Sequence, residues 1–137
     1  MTSIPLGKFG NTYQYKEVAA GASDTIFRID IPVGYVGFVD KIATTFYKDT
    51  YIELKIDDEV AETFKREIEV VDTNRNFLAE VANIDEPREY DPPFLVTYKV
   101  EFIAHNNDTT SHIFEVFCDG KCFDEVIGRK EAVGNFN

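Results

Sequence analysis

The sequence of 137 residues has no tryptophan, one methionine and two cysteines, and it is poor in basic residues. The 14 Lys and Arg residues stand against 25 Asp and Glu, which gives a formal net charge of −11 at pH 7. Because nonspecific binding to nucleic acid depends on basic side chains that neutralise phosphates, we predict no nucleic-acid partner. No apolar run approaches the ~20 residues of a membrane-spanning helix, so we predict no membrane partner either.

The two cysteines, Cys118 and Cys122, are predicted to be free thiols. The start of the sequence, Met1 to Lys8, lacks the basic and long apolar stretches of a secretory signal, and disulfides are rare without export. A disulfide stays open as the alternative. If Asp119-Gly120-Lys121 forms a tight hairpin turn, the cysteines face each other across it at a distance that a disulfide can span.

Apolar residues make up 44% of the sequence and aromatic residues 14%, which is enough for one domain with a hydrophobic core. The clearest pattern runs from Phe94 to Ala104, where every second residue is apolar and Thr97, Lys99 and Glu101 lie between them. A period of two predicts a strand with one buried face. Similar segments predict further strands at Tyr13–Val18, Thr25–Ile31, Gly37–Tyr47, Tyr51–Ile56 and His112–Cys118, with a return strand at Cys122–Phe123.

Seven or eight short strands with frequent turns predict an all-β fold, an antiparallel β-sandwich or jelly roll, as a single domain over residues 1–137. Residues 1–12 and 125–137 show no strand period, and we predict extended N- and C-terminal arms there. Residues 72–93 are rich in Asn and Pro and predict a long loop, which is often a contact surface. Between 60 and 71, a strand over 60–64 leading into a helical turn competes with a helical stripe.

Metal-binding patterns are incomplete. In His105-x6-His112-x2-Glu115, residues 112 and 115 of a strand point to opposite faces, and zinc needs three convergent ligands. Asn106-Asn107-Asp108 lacks the spacing of a dedicated calcium loop. We therefore predict no metal and no cofactor.

Catalytic patterns are also missing from the sequence. Glu86, Glu89 and Asp91 cluster, and paired carboxylates can hydrolyse glycosides, but acidic residues are abundant here and a solvated loop is the favoured interpretation. No nucleophile elbow or phosphate-binding glycine loop occurs. Because no nucleophile–base pair is apparent, we predict that the protein is not an enzyme.

Several segments carry a resemblance to a known group of proteins. They are Val18–Phe27, Ile31–Phe38, Tyr51–Asp57, His105–Asn107 and His112–Gly120. In these segments the chain resembles small bacteriophage virion proteins of the capsid decoration or minor capsid type. The resemblance implies a homo-oligomer such as a trimer, located in the virion, that binds the major capsid protein through an arm or a long loop.

Isolated apolar residues on arms and loops cannot be buried locally, so we expect them to dock on a neighbouring subunit. The predicted partner-binding residues are Ile4, Leu6, Phe9, Phe77, Leu78, Tyr90, Val133 and Phe136. An alternative function is a carbohydrate- or receptor-binding β-sandwich that stacks exposed tyrosines on sugar. The candidates for that role are Tyr13, Tyr15, Tyr35, Tyr47, Tyr51 and Tyr90, and the lack of tryptophan weighs against it.

Overall fold

The computed structural model describes residues 3–45, 47–65 and 87–124. Nine β-strands and one short 3-10 turn, Leu6–Lys8, form this part of the chain. The strands are β1 Ile4–Pro5, β2 Tyr13–Val18, β3 Ser23–Asp30, β4 Tyr35–Thr44, β5 Thr50–Ile56, β6 Glu59–Lys65, β7 Arg88–Val96, β8 Lys99–Asn106 and β9 His112–Asp124.

The strands form two antiparallel sheets. The first sheet has the order β2-β9-β4-β7, and β1 pairs with β9 beyond the end of β2. The second sheet has the order β3-β8-β5-β6. Alternate residues of both sheets enter one shared core, so the predicted all-β antiparallel sandwich is confirmed.

Large aromatic side chains fill the centre of this core. At most 1% of the surface is exposed in each of Phe27, Phe64, Phe102 and Phe114. The rings of Phe27 and Phe102 meet edge-on, with centroids 5.3 Å apart, which joins β3 to β8. Burying such a side chain contributes about 2 kcal/mol each, so the core holds the two sheets face to face.

The segment Phe94–Ala104 is not one strand, as its period predicts, but parts of β7 and β8. The chain crosses from the first sheet to the second at Thr97 and Tyr98, and Tyr98 is therefore 47% exposed. The Asp57 carboxylate accepts hydrogen bonds from the backbone N–H groups of Thr97, Tyr98 and Lys99 at 2.9, 2.8 and 3.0 Å. These bonds satisfy donors that leave one sheet ladder before they enter the next.

Residues 4–9 differ from the predicted extended arm. Ile4 and Pro5 pair with β9, Leu6 is fully buried, and Phe9 packs against the core. Burial of these apolar side chains within their own chain removes the reason to dock them on a neighbour. Leu6 in particular has no surface left for a partner.

The hairpin predicted at Asp119-Gly120-Lys121 does not form, because β9 runs unbroken through it. Gly120 lies opposite a bulge in β4, and a Cβ atom there would be 1.9 Å from the carbonyl oxygen of Phe38. Cys118 and Cys122 share one face of the same strand, roughly 13 Å apart at strand spacing, too far for a disulfide. Both are free thiols, as predicted.

The loop predicted for residues 72–93 ends earlier, because β7 begins at Arg88. Pro92 and Pro93 lie within β7, and the strand tolerates them because it forms an edge of the first sheet. The strand predicted over 60–64 is confirmed as part of β6. The predicted helical turn after residue 64, the remainder of the 72–93 loop and the arm over 125–137 lie outside the described residues.

Candidate binding face

The outward side of the first sheet carries aromatic and apolar side chains. Phe38 of β4 and Phe123 of β9 meet edge-on with ring centroids 5.7 Å apart, and Leu95 of β7 is 43% exposed beside them. Together with Asp40, Pro92, Pro93 and Lys121 they line a groove of about 410 Å³. We call this the aromatic groove. Exposed apolar surface of this kind marks an interaction site more often than a solvated face.

The other end of the same sheet face is also apolar. Tyr13 and Tyr15 of β2 are 42% and 64% exposed, with ring centroids 5.9 Å apart, and Ile113 of β9 is 51% exposed. The Tyr13 hydroxyl donates a hydrogen bond to Glu115, and this bond raises the pKa of Tyr13 above its ordinary value. The aromatic character of the face therefore extends from β7 to β2.

A second groove, of about 400 Å³, lies where β2 meets β3, and Tyr13, Tyr15 and Lys16 contribute to its lining. The Gln14 amide joins the two strands there. Its Nε2 donates to the carbonyl oxygens of Asn11 and Arg28, and its Oε1 accepts from the Arg28 backbone N–H. Most polar groups of this groove are thus already paired within the chain.

The second sheet presents a different outer surface, which carries several ion pairs. Lys99 contacts Asp58 at 2.5 Å and Glu101 at 3.3 Å, and Arg28 contacts Asp30 at 3.1 Å. The Lys99 ammonium lowers the pKa of Asp58, and the Asp58 carboxylate raises the pKa of Lys99. Charges that satisfy one another in this way leave little attraction for a partner.

A serine, a histidine and a carboxylate form a row across the second sheet. Ser23 Oγ is 2.8 Å from His105 Nδ1, and His105 Nε2 is 2.7 Å from Glu53 Oε1. The structure therefore brings a serine and a histidine within hydrogen-bond distance, a pair that was not apparent from the sequence. Ser23 is paired with His105 across β3 and β8, which residues 82 apart in the chain do not reveal.

The row itself has the geometry of a cross-strand ladder. Tyr51 pairs with His105 in the strand register and stacks on its ring at 4.4 Å. Acyl transfer also needs donors aimed at a developing oxyanion, and backbone N–H groups within sheet ladders are already engaged. None of the three residues lines either groove described above. The arrangement is that of side chains that stabilise a sheet face.

The second histidine has a similar environment. His112 Nε2 is 2.8 Å from Asp108 Oδ2, and its ring stacks on Tyr47 at 4.1 Å. The hydrogen bond from His112 lowers the pKa of Asp108. Among residues 3–45, 47–65 and 87–124, no group of three or more His, Cys, Asp and Glu side chains is placed to hold a metal ion.

The described members of the sequence-predicted partner set, Ile4, Leu6, Phe9 and Tyr90, pack in or against the core. Ile4, Phe9 and Tyr90 are partly buried and pack against the core, where Phe9 meets Tyr35 and Tyr90 meets Phe94 at 5.4 and 5.1 Å. Phe77, Leu78, Val133 and Phe136 lie outside the described residues. The residues of the aromatic groove were not predicted, because they come from three strands that only the fold brings together.

Neither the family models nor the curated proteins include a match to this chain. In the part of the chain that the structure describes, no helix has the length and apolar character needed to cross a membrane.

Proposed function

We propose that the protein is a non-enzymatic structural protein of a virus particle, a bacteriophage capsid decoration or minor capsid protein that binds the major capsid protein. The observation that carries the proposal is the aromatic groove with its continuation over β9 to β2. A protein that bound nothing would gain little from exposing Leu95, Tyr15 and Ile113 together on one sheet face.

The strand order supports the same proposal at the level of fold. The five-stranded first sheet has the order β2-β9-β4-β7 once the two-residue β1 is set aside, and the second sheet has the order β3-β8-β5-β6. We interpret this order as that of a jelly roll. Viral capsid proteins, lectins and cupins share that architecture. The strand order therefore agrees with a capsid role without distinguishing it from these other functions.

Gradient fractionation of a lysate in which the chain is made tests the proposal. We expect an antibody against the chain to find it with assembled particles in a fixed ratio to the major protein. Leu95→Ser should reduce the bound fraction, whereas Val60→Ser should not, because Val60 has a similar exposure, 53%, on the second sheet. If the unmodified chain stays with free protein at the top of the gradient, the proposal is wrong.

The oligomeric state is a separate prediction. Static light scattering after size exclusion should give the mass of a trimer or another closed oligomer of the full chain. A monomer at high concentration would contradict the predicted homo-oligomer in solution. Copies of the chain would then come together only when they bind to a particle.

Carbohydrate binding is the alternative, and the observation in its favour is the exposed pair Tyr13 and Tyr15 beside a polar groove. Stacking on these rings would suit a sugar, but hydroxyl recognition needs free polar groups. Gln14 is already engaged within the chain. A glycan array with Tyr15→Ser as the control separates the two functions, since specific binding that this variant abolishes favours the sugar.

A further inference from the structure

The aromatic groove combines an apolar floor with two charged side chains that form no ion pair with the described residues. Phe38, Phe123 and Leu95 supply the floor, while Asp40 and Lys121 line the same groove. The ion pairs of the described residues do not include Asp40 or Lys121. This contrasts with the second sheet, where Lys99 and Arg28 are paired.

The wider face around the groove has an acidic character. Glu89 of β7, and Glu115 and Asp119 of β9, occupy outward positions in the strand register, as does Glu17 at the end of β2. Lys41 and Lys121 are the basic residues at outward positions of these paired strands. The sequence as a whole adds a net charge of −11. The field around the groove therefore attracts cations.

The edge of β7 restricts how a ligand can bind. A peptide that added a strand to this edge would need backbone donors, and Pro92 and Pro93 have no N–H to give. Pro92 and Pro93 thus disfavour strand addition beside the groove, and we expect a ligand to lie on the face of the sheet and to be recognised through its side chains. Its cation should approach Asp40 and avoid Lys121 on the opposite strand.

We propose that the aromatic groove binds an extended segment of a different protein that presents lysine or arginine together with leucine-sized or aromatic side chains on one face. This inference rests on the binding role proposed above and names the chemistry of the partner. A second copy of the chain is the poorer occupant of the groove, because its own acidic surface would meet the acidic residues around the groove, so the predicted oligomer must form through another surface.

The test uses the full chain, labelled with ¹⁵N, and two capped peptides. One peptide carries leucine and lysine at positions i and i+2, on the same face of an extended chain, and the other has glutamate in place of each lysine. We expect the lysine peptide to shift backbone signals of β4, β7 and β9 near the groove and the glutamate peptide to leave them unchanged. Titration gives the dissociation constant for each variant below.

Two variants and two matched controls locate the site. Asp40→Asn removes the anchoring charge and Leu95→Ser removes part of the floor, and each should weaken the lysine peptide by about fivefold. Glu59→Gln and Val60→Ser make the same chemical changes on the second sheet and should leave binding unaltered. All four positions are at least partly exposed, so the variants should fold.

Other outcomes overturn the inference. Equal shifts by both peptides would mean that charge plays no part, and no shift by either would mean that the groove accepts no such segment. Signal broadening near the groove that depends on protein concentration would identify a second copy as the occupant. Binding of the lysine peptide by a chain that never fractionates with particles would keep the partner chemistry and overturn the viral function alone.

Discussion

The outer surfaces of the two sheets differ although one chain and one strand period build both. On the second sheet, charged side chains such as Arg28 and Lys99 lie beside carboxylates and are paired within the chain. On the first sheet, the apolar side chains of Phe38, Phe123 and Leu95 occupy outward positions. The difference teaches that an outward position in a sandwich is not by itself a polar position, and it is the reason why we propose the outer face of the first sheet as the binding surface.

The largest expected effect on stability concerns the bulge of β4 opposite Gly120, which lies beneath the aromatic groove. Gly120→Ala places a Cβ 1.9 Å from the Phe38 carbonyl oxygen, so β4 and β9 must separate there. We expect the free energy of unfolding to fall by about 4 kcal/mol, measured by urea denaturation. In the control, Gly7→Ala, the new Cβ meets Thr12 at an ordinary 3.4 Å. Equal stability of the two variants would contradict the role given to Gly120.

A smaller loss is expected at the crossover that joins the two sheets. Asp57→Ala removes the acceptor of three backbone N–H groups and keeps a residue at φ 53°, where alanine is strained. The free energy of unfolding should fall by about 2 kcal/mol. Asp57→Asn retains one acceptor oxygen and should lose clearly less. If both variants match the parent chain, the carboxylate does not stabilise the crossover.

The two faces should respond to opposite extremes of pH. The hydrogen bond from Lys99 lowers the pKa of Asp58 below 3.8, so its contribution is present above pH 3.8 and lost as pH falls through the folded-state pKa. The hydrogen bond to Glu115 raises the pKa of Tyr13 above 10.0, so its contribution is present below pH 10.0 and lost as pH rises through the folded-state pKa.

Unfolding midpoints at a series of pH values check this assignment. Asp58→Asn should flatten the acid limb and leave the alkaline limb as it is, and Tyr13→Phe should do the reverse. Glu59→Gln, which has no ion pair among the described residues, serves as the control. An acid limb that Asp58→Asn leaves unchanged would assign acid sensitivity to other carboxylates, such as Asp108.

The smallest effect on stability is expected at the most exposed tyrosine of the first sheet. Tyr15→Ser on the aromatic face changes a side chain that is 64% exposed, so the melting temperature should stay within about 2 °C of the parent. Retention on a phenyl-agarose column should nevertheless shorten, because less apolar surface meets the matrix. A marked fall in melting temperature would mean that Tyr15 supports the fold instead of the surface.

Local sequence pattern was sufficient to predict β5 and the bounds of β2. Ile52, Leu54 and Ile56 are buried on one face of β5, as the alternation predicts, and β2 has the predicted bounds. The crossover at Thr97 could not be predicted, because the Asp57 carboxylate that stabilises it comes from 40 residues earlier. Period alone continues through such a break, since Val96 and Val100 are both buried.

The candidate site depends still more on the fold than the strands do. Phe38, Leu95 and Phe123 meet only because β4 has β7 on one side and β9 on the other. Apolar residues near the start of the chain were expected to bind a partner because no local element could bury them. The structure buries Leu6 in the core instead, a contact that no short-range pattern contains.

The two thiols of β9 have a consequence for how the protein can be observed. Cys118 and Cys122 face the core from a strand that is bonded to β1 and β2 on one side and β4 on the other. Burial raises the pKa of both thiols, that of Cys122 to about 11, so neither reacts readily in the closed state. Alkylation must wait for that strand to separate from its neighbours. The rate at which an added alkylating reagent modifies the two thiols therefore reports how often the first sheet opens under native conditions, without denaturant.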